Sequence, residues 1–256
     1  MAVQFERDGR IATITLDRPE KLNAMDREMY HEVSRRLVEI DRDSSIWVGI
    51  VTGAGDRAFT AGADLVTVHA PAAETEPLWQ ASRPDRFDLA MEIQKPLIAA
   101  VNGYCLAGGL ELALVCDIRI ASEHAQFGTP EVKWNLLHGY GAQLLPQIVG
   151  LSNAMYLLLT GRFIDAAEAH RIGLVQEVLP HERLMTRARE LAEQICANGP
   201  VAVRMTKELA LRSRDLSAAD GIRYYQALQR LIEASEDLEE GTRAFAEKRS
   251  PVFTGR

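Results

Sequence analysis

The chain has 256 residues, of which 47% are hydrophobic and 25% charged, and its formal net charge is −7. This length allows one large domain, or one domain with a small appendage. The acidic balance argues against a nucleic-acid partner, because binding the phosphate backbone requires a basic face. No apolar run approaches the roughly 18 residues of a membrane span, and the charged N-terminus, MAVQFERDGR, is unlike a secretory signal.

The cysteine content indicates a reducing compartment. Cys105, Cys116 and Cys196 form neither a CxxC pair nor a ligand cluster. An odd number of cysteines without a disulfide framework is typical of proteins kept reduced, so we expect a cytoplasmic location. We expect no metal site and no membrane partner.

Strands and helices alternate in the first third of the chain. Residues 11–16 and 46–52 are predicted strands, and the helix between them has the apolar spacing of an amphipathic helix. Asn23 is its predicted N-cap. The segment 69–88 contains three prolines and has no clean periodicity, which predicts a surface loop. The apolar positions of the helix are Met25, Met29, Val33, Leu37 and Ile40.

Residues 95–116, KPLIAAVNGYCLAGGLELALVC, predict a strand, a glycine turn and a helix in immediate succession. The first amides of a helix lack intrahelical acceptors, and the helix dipole is positive there. Glycines let a ligand approach those amides, so the turn suits a developing oxyanion. Glu111, just inside the helix, is then a candidate proton-transfer group. The alternative is a small-residue turn that packs a helix on a strand.

A second turn and a second carboxylate fit the same chemistry. The segment AFTAGADL also follows a strand, so the amides of Ala63 and Gly108 together provide two donors for one oxygen. Glu131 follows Pro130 in the first turn of a predicted helix. Two carboxylates divide acid and base roles when their environments differ. The alternative for Glu131 is an ordinary carboxylate favoured by the helix dipole.

After Pro180 the strand signals end and amphipathic helices follow to the C-terminus. We therefore divide the chain into an α/β core, 1–190, and a helical region, 191–256. Apolar helical faces that one small region cannot bury predict association between subunits.

Two segments together carry a resemblance to a known family. IAAVNGYCLAGGLELALVCDIRIASEHAQFGTPEVK and AFTAGADL resemble the two signatures of the enoyl-CoA hydratase/isomerase (crotonase) family. The likeness continues through LTGRFIDAAEAHRIGLVQEV to EGTRAFAEKRSPVF, so it covers nearly the whole chain. It implies a spiral of ββα turns with a C-terminal helical trimerisation domain, and a homotrimer or a dimer of trimers.

The resemblance also implies an acyl-CoA thioester substrate, with coenzyme A as part of the substrate and no separate cofactor. By position, Ala63 and Gly108 form the oxyanion hole, and Glu111 and Glu131 match the two acidic positions of hydratases. Phe245 and Lys248 match CoA contacts made from a neighbouring subunit. The other matching CoA-contacting positions are Lys21 or Arg18, Ala24, Ala61 and Leu65.

The chain departs from the family pattern after the second glutamate. Residues 135–142, NLLHGYGA, stand where the family has Gly-x-x-Pro-Gly-x-Gly-Gly, so that His138 replaces a proline. Ala107 also replaces a common glycine. We expect the 69–88 loop and residues 134–140 to set the acyl substrate, with Trp134, His138 and Tyr140 in the acyl pocket. The alternatives are that both aromatics belong to the core and that His138 packs or hydrogen-bonds.

The predicted activity is enoyl-CoA hydration, the reversible addition of water to a trans-2-enoyl-CoA. An enoyl-CoA delta-isomerase, which needs a single carboxylate, is the nearest alternative, together with other acyl-CoA hydratases and dehydratases. A non-catalytic protein that binds CoA thioesters or RNA is a more distant one.

Overall fold

Two β-sheets form the core of the chain. The computed structural model describes residues 2–68 and 92–256, so the predicted loop 69–88 lies outside the described residues. The strands are β1 (Val3–Asp8), β2 (Ile11–Leu16), β3 (Val48–Gly53), β4 (Ala58–Thr60), β5 (Leu97–Val101), β6 (Tyr104–Leu106), β7 (Ile118–Ser122), β8 (Gln126–Gly128), β9 (Phe163–Asp165) and β10 (Glu177–Leu179). The helices are α1 (Arg27–Arg42), α2 (Leu65–Val68), α3 (Gly108–Val115), α4 (Gly141–Val149), α5 (Leu151–Thr160), α6 (Ala166–Arg171), α7 (Leu184–Cys196), α8 (Pro200–Arg212), α9 (Ala218–Glu233) and α10 (Glu236–Glu247).

Successive strands divide between the two sheets. The larger sheet has the order β1-β2-β3-β5-β7-β10, and the smaller sheet has the order β4-β6-β8-β9. Each of the pairs β3/β4, β5/β6 and β7/β8 places its first strand in the larger sheet and its second in the smaller one. A helical segment follows each pair. The predicted α/β spiral of ββα turns is therefore confirmed.

The central strands are buried on both faces. β3 and β5 are parallel neighbours with the sequences VGIVTG and LIAAV, and every residue in them is buried. Such continuous runs of apolar and small residues are typical of parallel strands covered on both sides. One face belongs to the cluster that contains the apolar stripe of α1, and the other face packs with α7.

Helix α7 packs against the larger sheet. Its residues Leu184, Ala188 and Ala192 are buried together with Ile50 and Ile98 of the sheet. The predicted boundary at residue 190 falls inside this helix. Among the described residues, no strand follows Leu179, as the sequence predicts.

The predicted N-cap of α1 is wrong. Asp26 caps the helix, since its Oδ1 accepts a hydrogen bond from Met29 N–H at 3.0 Å. Asn23 is fully buried with a left-handed φ of 53°. Its Nδ2 donates to the carbonyl oxygens of Ala54 at 3.0 Å and Ala58 at 2.7 Å. Asn23 therefore ties the approach to α1 to the turn between β3 and β4.

Asn102 performs a similar role at the end of β5. Its side chain is buried, and its Nδ2 donates to Gly53 O at 2.9 Å, Gly55 O at 2.7 Å and Ala58 O at 3.1 Å. Its Oδ1 accepts from Gly53 N–H at 3.1 Å. One amide side chain thus satisfies the backbone where the chain passes from the larger sheet to the smaller one.

We expect Asn102→Ala to lower the free energy of unfolding by about 1–3 kcal/mol, because it leaves buried backbone groups without partners. Urea denaturation measures the change. Gln194→Ala, at an exposed position of α7, is the control and leaves the unfolding midpoint nearly unchanged. Equal midpoints for the two variants would contradict this role of Asn102.

Candidate active site

The predicted site residues follow three neighbouring strands of the smaller sheet. β4, β6 and β8 lie side by side and run parallel, so their C-terminal ends meet at one edge. Ala63 lies shortly after β4, Gly108 after β6, and Glu131 after β8. Turns that follow adjacent parallel strands are a common place for ligands to bind in α/β proteins.

The turns after β4 and β6 are in close contact. Met25 N–H donates to Gly62 O at 2.8 Å, which fixes the first turn on the segment before α1. Gly62 has a φ of +92°, and a methyl group there would lie 2.8 Å from Ala107 Cβ and 3.0 Å from Gly108 N. The close approach of the two turns therefore requires glycine at position 62.

The amides of Ala63 and Gly108 are neighbours. A methyl group at Gly108 would lie 3.9 Å from Ala63 N, and 2.6 Å from the hydroxyl oxygen of Tyr30. Neither amide donates a hydrogen bond within the described part of the chain. Gly108 is the first residue of α3, where amides lack intrahelical acceptors. The position of Tyr30 beside this turn was not predicted from the sequence, because the apolar period of a helix does not show which residues a half-buried side chain contacts.

Ala107 adopts a conformation that glycine enters more easily. It precedes α3 with a φ of 53° and a ψ of −126°. Its N–H donates to Gly128 O at 3.0 Å, which holds the turn on β8. A non-glycine residue in such a region costs about 1–3 kcal/mol. Alanine at position 107, where the family resemblance predicts glycine, therefore keeps the turn but raises its conformational free energy.

Glu111 is a buried carboxylate in an otherwise apolar helix. All eight residues of α3 are buried, and Glu111 is 6% exposed. A helix without a polar face lies inside the protein, so its one ionisable side chain is conspicuous. Its Oε1 accepts a hydrogen bond from Gly141 N–H at 3.3 Å. Glu111 therefore faces the start of α4.

Glu131 pairs with His138. Glu131 lies in a 3-10 turn, Pro130–Trp134, which Asn135 ends with a left-handed φ of 55°. The chain then returns, so that His138 Nδ1 lies 2.5 Å from Glu131 Oε1. The side chains are 3% and 11% exposed, respectively. Among the described residues, Glu131 Oε2 and His138 Nε2 are buried without hydrogen-bond partners.

Gly141 lies between this pair and Glu111. A methyl group there would be 2.5 Å from His138 Nε2 and 3.0 Å from Glu111 Cγ. Glu111, His138 and, through His138, Glu131 therefore converge on the turn 138–141. The sequence analysis singled out both glutamates but not this contact. The departure of residues 135–142 from the family pattern was the available signal.

The four candidate CoA positions in the first third of the chain lie on two hydrogen-bonded segments. Ala61 N–H donates to Leu22 O at 3.0 Å. Asp64 Oδ2 forms ion pairs with Lys21 Nζ at 3.6 Å and with Arg18 Nη2 at 3.5 Å. Lys21 and Leu65 are exposed, and Ala24 and Ala61 are half-buried. These positions share one strip of surface beside Ala63.

The remaining predicted positions lie elsewhere. Phe245 is near the end of α10 and is 88% exposed, and Lys248 follows the helix. No hydrogen bond or ion pair among the described residues joins these two to the strip beside Ala63. Trp134 is 68% exposed, so the alternative that it belongs to the core is wrong. Tyr140 is half-buried and packs against the main core.

Buried thiols beside the site remain protonated. Cys105 Sγ donates to Gly109 O at 3.4 Å, next to the start of α3. Burial raises the pKa of the Cys105 thiol, and raises that of Cys116 to about 12. Because the thiolate is the reactive form, neither group is a nucleophile at neutral pH.

Residues 2–68 and 92–256 contain neither a group of metal ligands nor a helix that could span a membrane. No three His, Cys, Asp or Glu side chains are grouped there as a metal site. No helix in those ranges is both long and apolar enough to cross a membrane.

A ββα spiral that places two undonated amides and two carboxylates on turns after neighbouring strands is typical of acid–base enzymes of the crotonase class. A family model described as enoyl-CoA hydratase/isomerase matches residues 6–256. The chain belongs to this family.

Relatives and solved structures agree over essentially the full length. A probable enoyl-CoA hydratase of Mycobacterium tuberculosis is 42% identical over 261 residues, covering 99% of this chain and 98% of the relative. The (E)-benzylidenesuccinyl-CoA hydratase of Thauera aromatica is 39% identical over 258 residues, covering 100% of both chains. The structure of an enoyl-CoA hydratase from Geobacillus kaustophilus superposes with a TM-score of 0.91 at 36% identity, covering 100% of this chain and 99% of the other.

We expect Gly141→Ala to displace His138, because the added methyl lies 2.5 Å from its ring. Overpacking of this kind lowers the free energy of unfolding by about 1–3 kcal/mol, and the imidazole NMR resonances of His138 should shift. Gly221→Ala in α9 is the control, since a methyl there meets nothing within 4 Å. If Gly141→Ala were as stable as Gly221→Ala with unshifted resonances, the crowding around Gly141 would be disproved.

Proposed function

We propose that this chain is an enoyl-CoA hydratase, which adds water reversibly to a trans-2-enoyl-CoA thioester. The observation that carries the proposal is the convergence of Glu111 and Glu131 on the turn 138–141, in a chain of this family. Relatives of similar sequence are named as hydratases. An isomerase moves a double bond with one carboxylate, so a second carboxylate at the site, the half-buried Glu131, favours hydration.

The proposed reaction begins with the thioester carbonyl oxygen. That oxygen accepts hydrogen bonds from the amides of Ala63 and Gly108, which are adjacent and otherwise unused among the described residues. Negative charge collects on it as the β-carbon is attacked. Preorganised backbone donors stabilise such charge because they need no reorientation during the reaction, and loss of one donor typically costs about 2.7–4 kcal/mol.

The two carboxylates divide the remaining work. Glu111 accepts a proton from the water whose oxygen bonds to the β-carbon. Glu131 delivers a proton to the α-carbon. Dehydration is the same sequence in reverse, so the site serves either direction.

The substrate's coenzyme A is proposed to lie along the strip formed by Lys21, Ala24, Ala61 and Leu65. Phe245 and Lys248 would complete this binding site from a neighbouring subunit. Trp134, His138 and Tyr140 remain our proposal for the acyl pocket. A cytoplasmic location remains a proposal, supported by the unpaired cysteines.

We expect Glu111→Gln and Glu131→Gln each to lower the turnover of crotonyl-CoA by about 10²–10⁴-fold, the usual contribution of a general acid or base. Loss of the enoyl-thioester absorbance measures hydration, and calorimetry should show that acyl-CoA still binds. Glu28→Gln, at an exposed position of α1, is the control. Full hydration by Glu131→Gln would reject the two-carboxylate mechanism and place the isomerase first.

The chain is further proposed to form a homotrimer or a dimer of trimers through its helical region. Large apolar side chains are exposed there, with Ile222 at 59%, Leu231 at 57% and Phe245 at 88%. Exposed apolar surfaces of this kind are typical of subunit interfaces. If Phe245 and Lys248 contact the CoA of another subunit, the trimer also completes the binding site.

Light scattering should give a mass of three or six times 28.4 kDa at micromolar concentration. Leu231→Glu is expected to shift the mass toward the monomer, because it buries an unpaired charge in the proposed interface. Val66→Glu is the matched control, at an exposed apolar position of α2. A native chain that is a stable monomer would contradict the proposal.

A further inference from the structure

We propose that His138 is a positioning residue for Glu131, and that it makes Oε2 of Glu131 the oxygen that exchanges a proton with the substrate. The inference rests on the proposed function, in which Glu131 serves the α-carbon. The two oxygens of a carboxyl group are equivalent until a neighbour distinguishes them. His138 provides that distinction in this chain.

The contact between the two side chains is short and shielded from water. Nδ1 of His138 lies 2.5 Å from Oε1 of Glu131, and the two side chains are 3% and 11% exposed. With little competition from solvent, this hydrogen bond fixes the plane of the carboxyl group. Oε1 is therefore committed to the imidazole.

The other carboxyl oxygen has no partner in the described part of the chain. Oε2 is buried and accepts or donates no hydrogen bond there. Buried polar atoms almost always have partners, so this unpartnered oxygen fits an atom whose partner is the substrate. Because Oε1 is the oxygen that contacts His138, Oε2 is the one left for another partner.

The surroundings of His138 also select its tautomer. Nε2 is buried without a partner among the described residues. A proton there would bury an N–H group without an acceptor, which is costlier than burying an unpaired lone pair. The proton therefore lies on Nδ1, and Nδ1–H donates to Oε1. The proton that Glu131 transfers resides on Oε2.

Proton transfer balances on this assignment. In hydration, the Oε2–H bond breaks and its proton bonds to the α-carbon. The attacking water loses a proton to Glu111 while its oxygen bonds to the β-carbon, and the carbon–carbon double bond becomes single. No group is oxidised or reduced, and solvent afterwards restores the two carboxyl groups.

His138 is a feature of this chain and not of the family pattern, which has proline at this position. Proline offers no side-chain donor, so the family pattern given by the resemblance includes no such donor at this position. Glycine at position 141 leaves room for the imidazole ring of His138, since a methyl group there would lie 2.5 Å from Nε2.

The test compares His138→Leu with His138→Asn. Leucine fills the space without a donor, whereas the Asn Nδ2 atom takes the place of Nδ1. Exchange of the α-protons of butyryl-CoA in D2O, followed by NMR, reports proton transfer by Glu131 without any hydration step. Hydration of crotonyl-CoA gives kcat and KM. The control is His170→Leu, on α6.

We expect His138→Leu to lower both the exchange rate and kcat by roughly 10²-fold, as misplacement of a reacting group does, with KM nearly unchanged. His138→Asn should recover most of the loss, and His170→Leu should match the native chain. If His138→Leu fails to fold, His138→Gln replaces it, because its longer amide does not match the position of Nδ1.

Each other outcome is decisive. Native exchange in His138→Leu, or equal losses in the Leu and Asn variants, would overturn the positioning role. If the native chain exchanges α-protons but hydrates no enoyl-CoA, the proposed function is wrong. The α-proton exchange rates of the His138 variants then decide by themselves whether His138 positions Glu131. Absence of both reactions in the native chain would overturn both proposals.

Discussion

The site depends on the packing of the turn at Gly62 against the start of α3. A single methyl group at position 62 would collide with Ala107 and with the amide nitrogen of Gly108. The close packing brings the backbone of Ala63 near that of Gly108, and paired donors are effective only when both reach one oxygen. Asn23 and Asn102 tie the backbone around β3 and β4 with hydrogen bonds from their buried side chains.

The spiral explains why residues distant in sequence meet. Each ββα turn contributes one short strand to the smaller sheet, and β4, β6 and β8 are parallel neighbours there. The chain leaves all three strands at the same edge. The larger sheet buries apolar surface on both sides and supplies most of the core, which leaves the edge of the smaller sheet for chemistry.

Much of this arrangement was predictable from the sequence. β2 and β5 are short apolar runs bounded by turn residues, and α1 has a strong apolar period, so local patterns were sufficient. β4, β6 and β8 have only three residues each, too few for a period to be recognised. Asn23 has the composition of an N-cap, but tertiary hydrogen bonds hold it in a left-handed conformation and Asp26 caps the helix instead.

The two glutamates were also predictable, because a lone carboxylate in an apolar helix and one after a Gly-Thr-Pro turn are both conspicuous. The pairing of Glu131 with His138 was not. It depends on a 3-10 turn and a left-handed Asn135, and no simple periodicity places residues seven apart in contact across such a turn. Buried contacts of this kind follow from tertiary geometry and not from spacing.

The protonated state of Cys105 has a consequence for the lifetime of the protein. An enoyl thioester is an electrophile at its β-carbon, so a thiolate beside the site would add to the substrate and remain alkylated. Cys105 lies next to the start of α3, but burial raises the pKa of its thiol. Its S–H group donates a hydrogen bond to Gly109 O. Under the proposed function, the fold thereby protects the protein from inactivation by its own substrate.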